Sequence, residues 1–298
     1  SLIHNNGSVR LNNVDVCVYL TGNSPSFYVR ELAGNGNVYN INSAGDVTVS
    51  HSLNISGNLY CRINNGVIDV PGDINITNTA TGGGGSTQIN ITGSGTQNIN
   101  GGTAAGFGAL PQLNINSTGT VNLTGFPTVA NNFTYTSGTV VAAGSTLCFT
   151  RITANPITVA GSLVLSNVWF LADASTLTAT IPAGTILTVT GTLTMAGTGN
   201  LNINSPTAGT TAIQAKGDIM INNSSAGGGG NAGILINGTG TQHLTSSVAA
   251  GLGRVPYISI QKPSGTLVLG GVISERLDWT YISGAVDAVR SEALRLGK

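Results

Sequence analysis

Residues 72–97 read GDINITNTATGGGGSTQINITGSGTQ, and residues 217–242 read GDIMINNSSAGGGGNAGILINGTGTQ. The two align without a gap at an offset of 145 residues, and 15 of the 26 positions are identical. Each copy holds an alternating apolar/polar run, four consecutive glycines, a second alternating run and a Gly-Thr-Gln corner. A repeated supersecondary unit cannot bury its apolar face alone, so its repetition decides the architecture before any single residue does.

The duplication extends outward from these stretches. GTAAGFGALPQLNI (102–115) matches SVAAGLGRVPYISI (247–260), and NNFTYTSGTV (131–140) matches LDWTYISGAV (277–286) after one inserted residue. A fainter echo at half that spacing relates NINSAGDVTV (40–49) to NINSTGTVNL (114–123). Alternating runs such as TQINIT (87–92), GSLVLSNVWFL (161–171) and GTILTVTGTLTM (184–195) put Val, Ile and Leu on one strand face. Thr, Asn and Ser fall on the other face. Gly and Asn-Gly punctuate them every few residues, as corners require. Helical periodicity is absent. The expected fold is all-β: a β-solenoid, as a right-handed parallel β-helix, with coils of about 20 to 25 residues.

Residues 1–284 read as a single continuous β-solenoid carrying the internal repeat (72–140 and 217–286), with no linker of the kind two sandwich domains would need. Gly82, Gly83, Gly84, Gly85, Gly227, Gly228, Gly229 and Gly230 read as flexible, close-packed turns between coils. Phe133 and Trp279 occupy equivalent places and read as a core ladder at one corner. The pattern breaks at AVDAVRSEALRLGK (285–298), where Val289, Ala293 and Leu296 share one helical face. A short capping helix or a lead-in to further chain is expected there.

Composition narrows the function. Charged residues are 7% of the chain, against roughly 25% in typical soluble proteins. Net charge is zero, which argues against nucleic acid, whose binding needs a cationic face. No apolar run reaches the ~18 to 20 residues of a membrane helix. The chain begins at Ser1 with neither a starting Met nor a signal-like region, so a processed protein or a segment of a longer one is expected. Cys17, Cys61 and Cys148 form no CxxC pair; they read as small buried hydrophobes, and a Cys17–Cys61 disulfide stays open.

Chemistry is hard to place. No Asp or Glu occurs between Asp73 and Asp173, whereas polysaccharide-cleaving β-helices need clustered carboxylates. Asp69 and Asp73 are separated by the turn residues Pro71 and Gly72. Asp73 recurs as Asp218 at a strand start, which suggests a hydrogen bond to backbone N–H groups. His4, His51 and His243 lack metal-ligand spacing. Neither glycine run precedes Lys-Ser or Lys-Thr, so neither is a phosphate loop. No motif implies a cofactor or a metal. The T-x-T pairs at Thr178/Thr180, Thr188/Thr190 and Thr192/Thr194 have the spacing of an ice-binding Thr face, or of an ordinary solvated strand. Ten Asn-X-Ser/Thr sequons, among them Asn54, Asn75, Asn90 and Asn122, follow from composition.

GSGTQNINGG…LPQLNINSTGTVNLTG (93–125) and GTGTQHL…VPYISIQKPSGTLVLGG (238–271) resemble the repeats of large secreted bacterial surface proteins. Those are adhesin-like, and many leave the cell by the type IX route. The resemblance implies an extracellular stalk, fibre or adhesive region and supplies no catalytic residue. The expected role is non-enzymatic and structural or adhesive, at the cell surface or outside the cell, with the chain itself or surface glycans as partner. The alternatives are a carbohydrate- or receptor-binding module using Tyr60, Tyr135, Trp169 or Tyr281, a polysaccharide-cleaving β-helix and an ice-binding solenoid.

Overall fold

The structure is a computed structural model that describes residues 2–3, 8–12, 19–31, 37–41, 47–58, 61–151, 156–173, 175–288 and 291–295. It is all-β, with parallel strands stacked coil upon coil as a β-solenoid. The chain divides into two compact units, Ser1–Ala154 and Asn155–Lys298, and the division falls between the copies of the repeat.

In the first unit, alternation turns every second residue inward. Leu53, Ile74, Ile99 and Leu123 stand one above the next through the pairings of Val47–Gly57, Asp73–Ile76, Thr96–Asn100 and Gln112–Thr124. A second column runs Ile68, Ile89, Leu113, Phe133. All eight side chains are at most 2% exposed. Each is worth about 1.5–3 kcal/mol of burial. Parallel pairing at roughly 4.8 Å brings equivalent side chains into direct contact along the stack. Phe133 is further covered by Phe149, edge to face at 5.6 Å.

The second unit repeats the design. Leu163, Leu187, Ile213, Ile234 and Ile258 form one column, which ends on Trp279. Val168, Leu193, Ile219, Leu244 and Leu269 form another. Phe133 opposite Leu113 and Trp279 opposite Ile258 are the same step of the two copies. Phe133 is fully buried; Trp279 is half-buried.

Two sequence expectations are corrected. Residues 291–295 are not helical: Ser291–Arg295 is a strand paired with Gly271–Glu275. Its register places Ser274 opposite Leu294, as Thr128 stands opposite Cys148 in the first copy, each 146 residues earlier. The tail therefore continues the repeat backbone although its composition has changed. Parallel pairing along Gly271–Glu275 outweighs a helical preference spread over only a few residues, because short helices are marginal without packing. The remaining residues of 289–298 lie outside the described residues.

The glycine runs are also not flexible turns. Gly82, Gly83, Gly84 and Gly85 have φ of 110°, 100°, 83° and 114°. Gly83–Gly85 are buried, and bridges tie Gly84 to Arg62 and Gly83 to Ala109. Gly228, Gly229 and Gly230 repeat this at φ of 97°, 99° and 89°. There Gly228–Gly229 pairs with Leu201 and Asn202. Gly227 precedes them without a positive φ, half-buried beside Asn200. The run is an extended segment of left-handed φ threaded between strands, and only glycine adopts that backbone in series. A Cβ on Gly84 would come within 2.6 Å of Ala130 Cβ, and one on Gly85 would overlap Ile63 O.

Gly85→Ala should accordingly lower unfolding stability by about 3 kcal/mol or more, or prevent folding. Gly144→Ala, at φ 73° with nothing within 4 Å of its Cβ position, should cost only about 1 kcal/mol. Denaturant midpoints of the two variants check the contrast.

Candidate functional site

The outward face of the first unit is built from amides. Asn75 Nδ2 donates to Asn54 Oδ1 at 3.1 Å, Asn100 Nδ2 to Asn75 Oδ1 at 2.7 Å, and Thr124 Oγ1 to Asn100 Oδ1 at 2.8 Å. A second ladder runs from Asp69 through Asn90 and Asn114 to Thr136, with rungs of 2.8, 3.1 and 3.2 Å. In a third, Asn98 Nδ2 donates to both Asp73 carboxylate oxygens at 3.3 Å, and Asn122 donates to Asn98 at 3.1 Å. Successive rungs join residues 21 to 25 positions apart, one coil. An amide offers both donor and acceptor, so Asn75, Asn90, Asn98, Asn100 and Asn114 each serve the coil before and the coil after. The two carboxylates begin their ladders because an ionised carboxylate only accepts.

Asp69 and Asp73 thus belong to separate ladders and do not form a paired acid and base. The recurrence of Asp73 as Asp218 has the reason that its place at a strand start suggests. Asn98 N donates to Asp73 Oδ1 and His243 N to Asp218 Oδ1, both at 2.8 Å. His243 Nδ1 also lies 3.5 Å from Asp218 Oδ1, with both side chains about half exposed. Among the described residues no group of three or more His, Cys, Asp or Glu is placed to hold a metal ion.

The Gly-Thr-Gln corners are buried polar nodes. Gln97 Oε1 accepts from Gly93 N at 2.6 Å, while its Nε2 donates to Val70 O at 2.8 Å and Gly72 O at 2.7 Å. Gln242 repeats all three bonds with Gly238, Ala215 and Gly217. Lys262, which sequence reading passed over, is buried against the second node. Burial alone presses its pKa below 10.5, and three oxygen acceptors surround its ammonium.

The aromatics named for sugar stacking do not converge within the second unit. Trp169 stands opposite Thr194 and is half-buried, whereas Tyr281 stands opposite Ile260 on a different ladder. Tyr281 is 62% exposed, and its hydroxyl is tied to Gly284 O at 2.5 Å. In the first unit Tyr135 makes the same bond to Gly138 O at 2.6 Å but is half-buried. Tyr60 lies outside the described residues. The T-x-T threonines do not continue into a Thr face: Thr180 stands opposite Thr158 but also Asn204, Thr178 pairs with Asn202, Thr188 with Val164 and Gln214, and Thr194 with Trp169 and Met220.

Trp279–Asp287 has one parallel neighbour among the described residues, Tyr257–Glu275. Besides Tyr281 it exposes Ile282 at 52% and Val286 at 39%. A strand with a neighbour on one side and exposed apolar side chains can template further strand pairing.

Neither thiol within the described residues is poised for chemistry. Cys61 and Cys148 are buried, and Cys17 lies outside the described residues. Burial pushes the Cys148 thiol up to about 12 from 9.0, against smaller opposing hydrogen bonds with Gly106 and Thr128. No family model, curated protein or solved structure matches this chain.

Asn75→Ala removes two rungs and should cost about 1–3 kcal/mol in a urea or guanidinium titration. Cys148 should resist alkylation until the chain unfolds. The folded thiol keeps a proton that the unfolded chain releases above pH 9.0. Stability should therefore fall as pH rises from 9 toward 12, by up to about 1.4 kcal/mol per pH unit, and Cys148→Ala should flatten that slope.

Proposed function

We propose that this chain is a non-enzymatic structural or adhesive β-solenoid, working outside the cell as a segment of a stalk, fibre or filament. The observation that carries the reading is where its polar side chains go. Asn54, Asn75, Asn90, Asn98, Asn100, Asn114 and Asn122 bond along the stack, coil to coil, rather than converging on a ligand. Asp69, Asp73 and Asp218 are taken up in the same way. Such a body resists bending and offers a protease few unpaired segments. The low charge and the likeness to secreted surface repeats support an extracellular setting.

The strand Trp279–Asp287 supplies the means of extension. A parallel strand from a second copy, laid along Trp279–Asp287, would bury Tyr281, Ile282 and Val286 and extend the parallel pairing. Because the two faces in contact differ, the association is heterologous and gives a fibre when it does not close.

A second reading rests on Tyr281. Its ring is exposed while the hydroxyl is pinned to Gly284 O, a fixed aromatic platform suited to stacking on a sugar face.

Electron microscopy across a concentration series tests the first reading. Filaments or end-to-end dimers are expected, and Ile282→Lys should abolish them while leaving the circular-dichroism spectrum unchanged. Discrete particles at every concentration would overturn self-assembly. A glycan-binding signal lost in Tyr281→Ala would then establish the second reading.

A further inference from the structure

The sequence holds five Asn-Gly bonds, at Asn6, Asn35, Asn65, Asn100 and Asn237. At such a bond the backbone nitrogen of the glycine can attack the asparagine Cγ, because glycine has no Cβ to obstruct the approach. Asn6 and Asn35 lie outside the described residues. The fold treats the other three differently.

Two of them are held shut. Asn100 is half-buried in the strand Thr96–Asn100, and both ends of its amide are rungs of a ladder. The nitrogen that would attack it, Gly101 N, donates to Thr124 O at 2.9 Å. Asn237 is also half-buried, and Gly238 N is the donor that Gln242 Oε1 accepts at 2.8 Å. In both, the nitrogen must first leave a hydrogen bond, which requires the coil to open locally.

Asn65 and Gly66 instead form the whole corner between Cys61–Asn64 and Val67–Val70. Both have φ of 61°, and Asn65 is the only non-glycine residue at positive φ among the described residues. Asn65 is exposed. Gly66 is held through its carbonyl, which accepts from Gln88 N at 3.2 Å, and its N–H has no backbone acceptor among the described residues. The backbone of Asn65 is tied to the next coil. Asn65 N donates to Ser86 Oγ at 3.1 Å, and Asn65 O accepts from Thr87 Oγ1 at 2.6 Å.

We propose that Asn65 is a site of spontaneous deamidation, through a cyclic imide formed with Gly66. Gly66 N bonds to Asn65 Cγ, and the bond from Cγ to Nδ2 breaks. Nδ2 leaves as ammonia, carrying the proton that Gly66 N gives up. Water then opens the ring at either carbonyl and yields aspartate or its β-linked isomer. Aspartate tolerates left-handed φ as asparagine does, so that product keeps the corner. The β-linked isomer adds a methylene to the backbone of a two-residue corner and draws the main chain away from Ser86 and Thr87. Either product places a negative charge on a chain whose net charge is zero. The proposal is independent of the assembly reading above.

Incubation of the folded protein in mildly alkaline buffer, read by peptide mass spectrometry and isoaspartyl-specific methylation, tests it. Conversion at Asn65 should run at least about tenfold faster than at Asn100 or Asn237, both of which wait on local opening. In urea the three should convert at similar rates, because the protection given by the fold is lost. Asn65→Gly keeps a left-handed corner without the amide. It should leave the circular-dichroism spectrum unchanged and remove the matching share of the released ammonia. The comparison of folded with urea-unfolded wild-type chain decides the matter if that variant fails to fold. Conversion at Asn65 no faster than at Asn100 and Asn237 in the folded protein, or undiminished ammonia release from folded Asn65→Gly, would overturn the site.

Discussion

Everything in this protein depends on one coil resting on the next at the spacing of a parallel strand pair. At roughly 4.8 Å there is no room between coils for anything but backbone hydrogen bonds and flush side chains. A residue on one coil must therefore be compatible with the residue directly above and below it. Ile213 between Leu187 and Ile234 satisfies this from inside. Asn75 between Asn54 and Asn100 satisfies it from outside. Where a backbone segment crosses between strands, no side chain fits at all, and Gly83–Gly85 and Gly228–Gly230 take that position.

The same constraint explains the scarcity of charge. Like charges stacked one coil apart repel and are difficult to screen at that distance. Lysines and glutamates on successive coils would accumulate that cost along the whole stack. Amides and hydroxyls turn the same proximity into hydrogen bonds. Hence the protein is 7% charged, and Asp69 and Asp73 head ladders whose later members are neutral.

The copies diverge where the second one ends. Ala109 and Ala130 of the first unit correspond to Arg254 and Arg276, and Val129 corresponds to Glu275. Thr136 gives way to Ile282 on Trp279–Asp287. Register is kept throughout, since Leu110 pairs with Val129 and Val255 with Glu275. The backbone of the coil thus tolerates exchange of its side chains as long as register is kept. The glycine run marks the limit of that tolerance: Gly84 lies against Ala130 Cβ and Gly229 against Arg276 Cβ, and the glycines are retained while their neighbours change.

The sequence by itself determined the strand class, the repeat and the inward positions. Alternation in QINI (88–91) is a local property, and the 145-residue duplication needs no coordinates to be seen. It also marked Asp73 and Asp218 as equivalent. Tertiary structure alone decided which outward residues meet, because ladder partners lie 21 to 25 residues apart and corner lengths vary from coil to coil. One added residue moves a side chain to the opposite face of its strand. For that reason the Asn ladders, the threonines that fail to align and the buried position of Lys262 were not legible in the chain. The tail misled for a related cause: helical spacing in AVDAVRSEALRLGK is a local preference, and the strand conformation of Ser291–Arg295 comes from Gly271–Glu275 lying beside it.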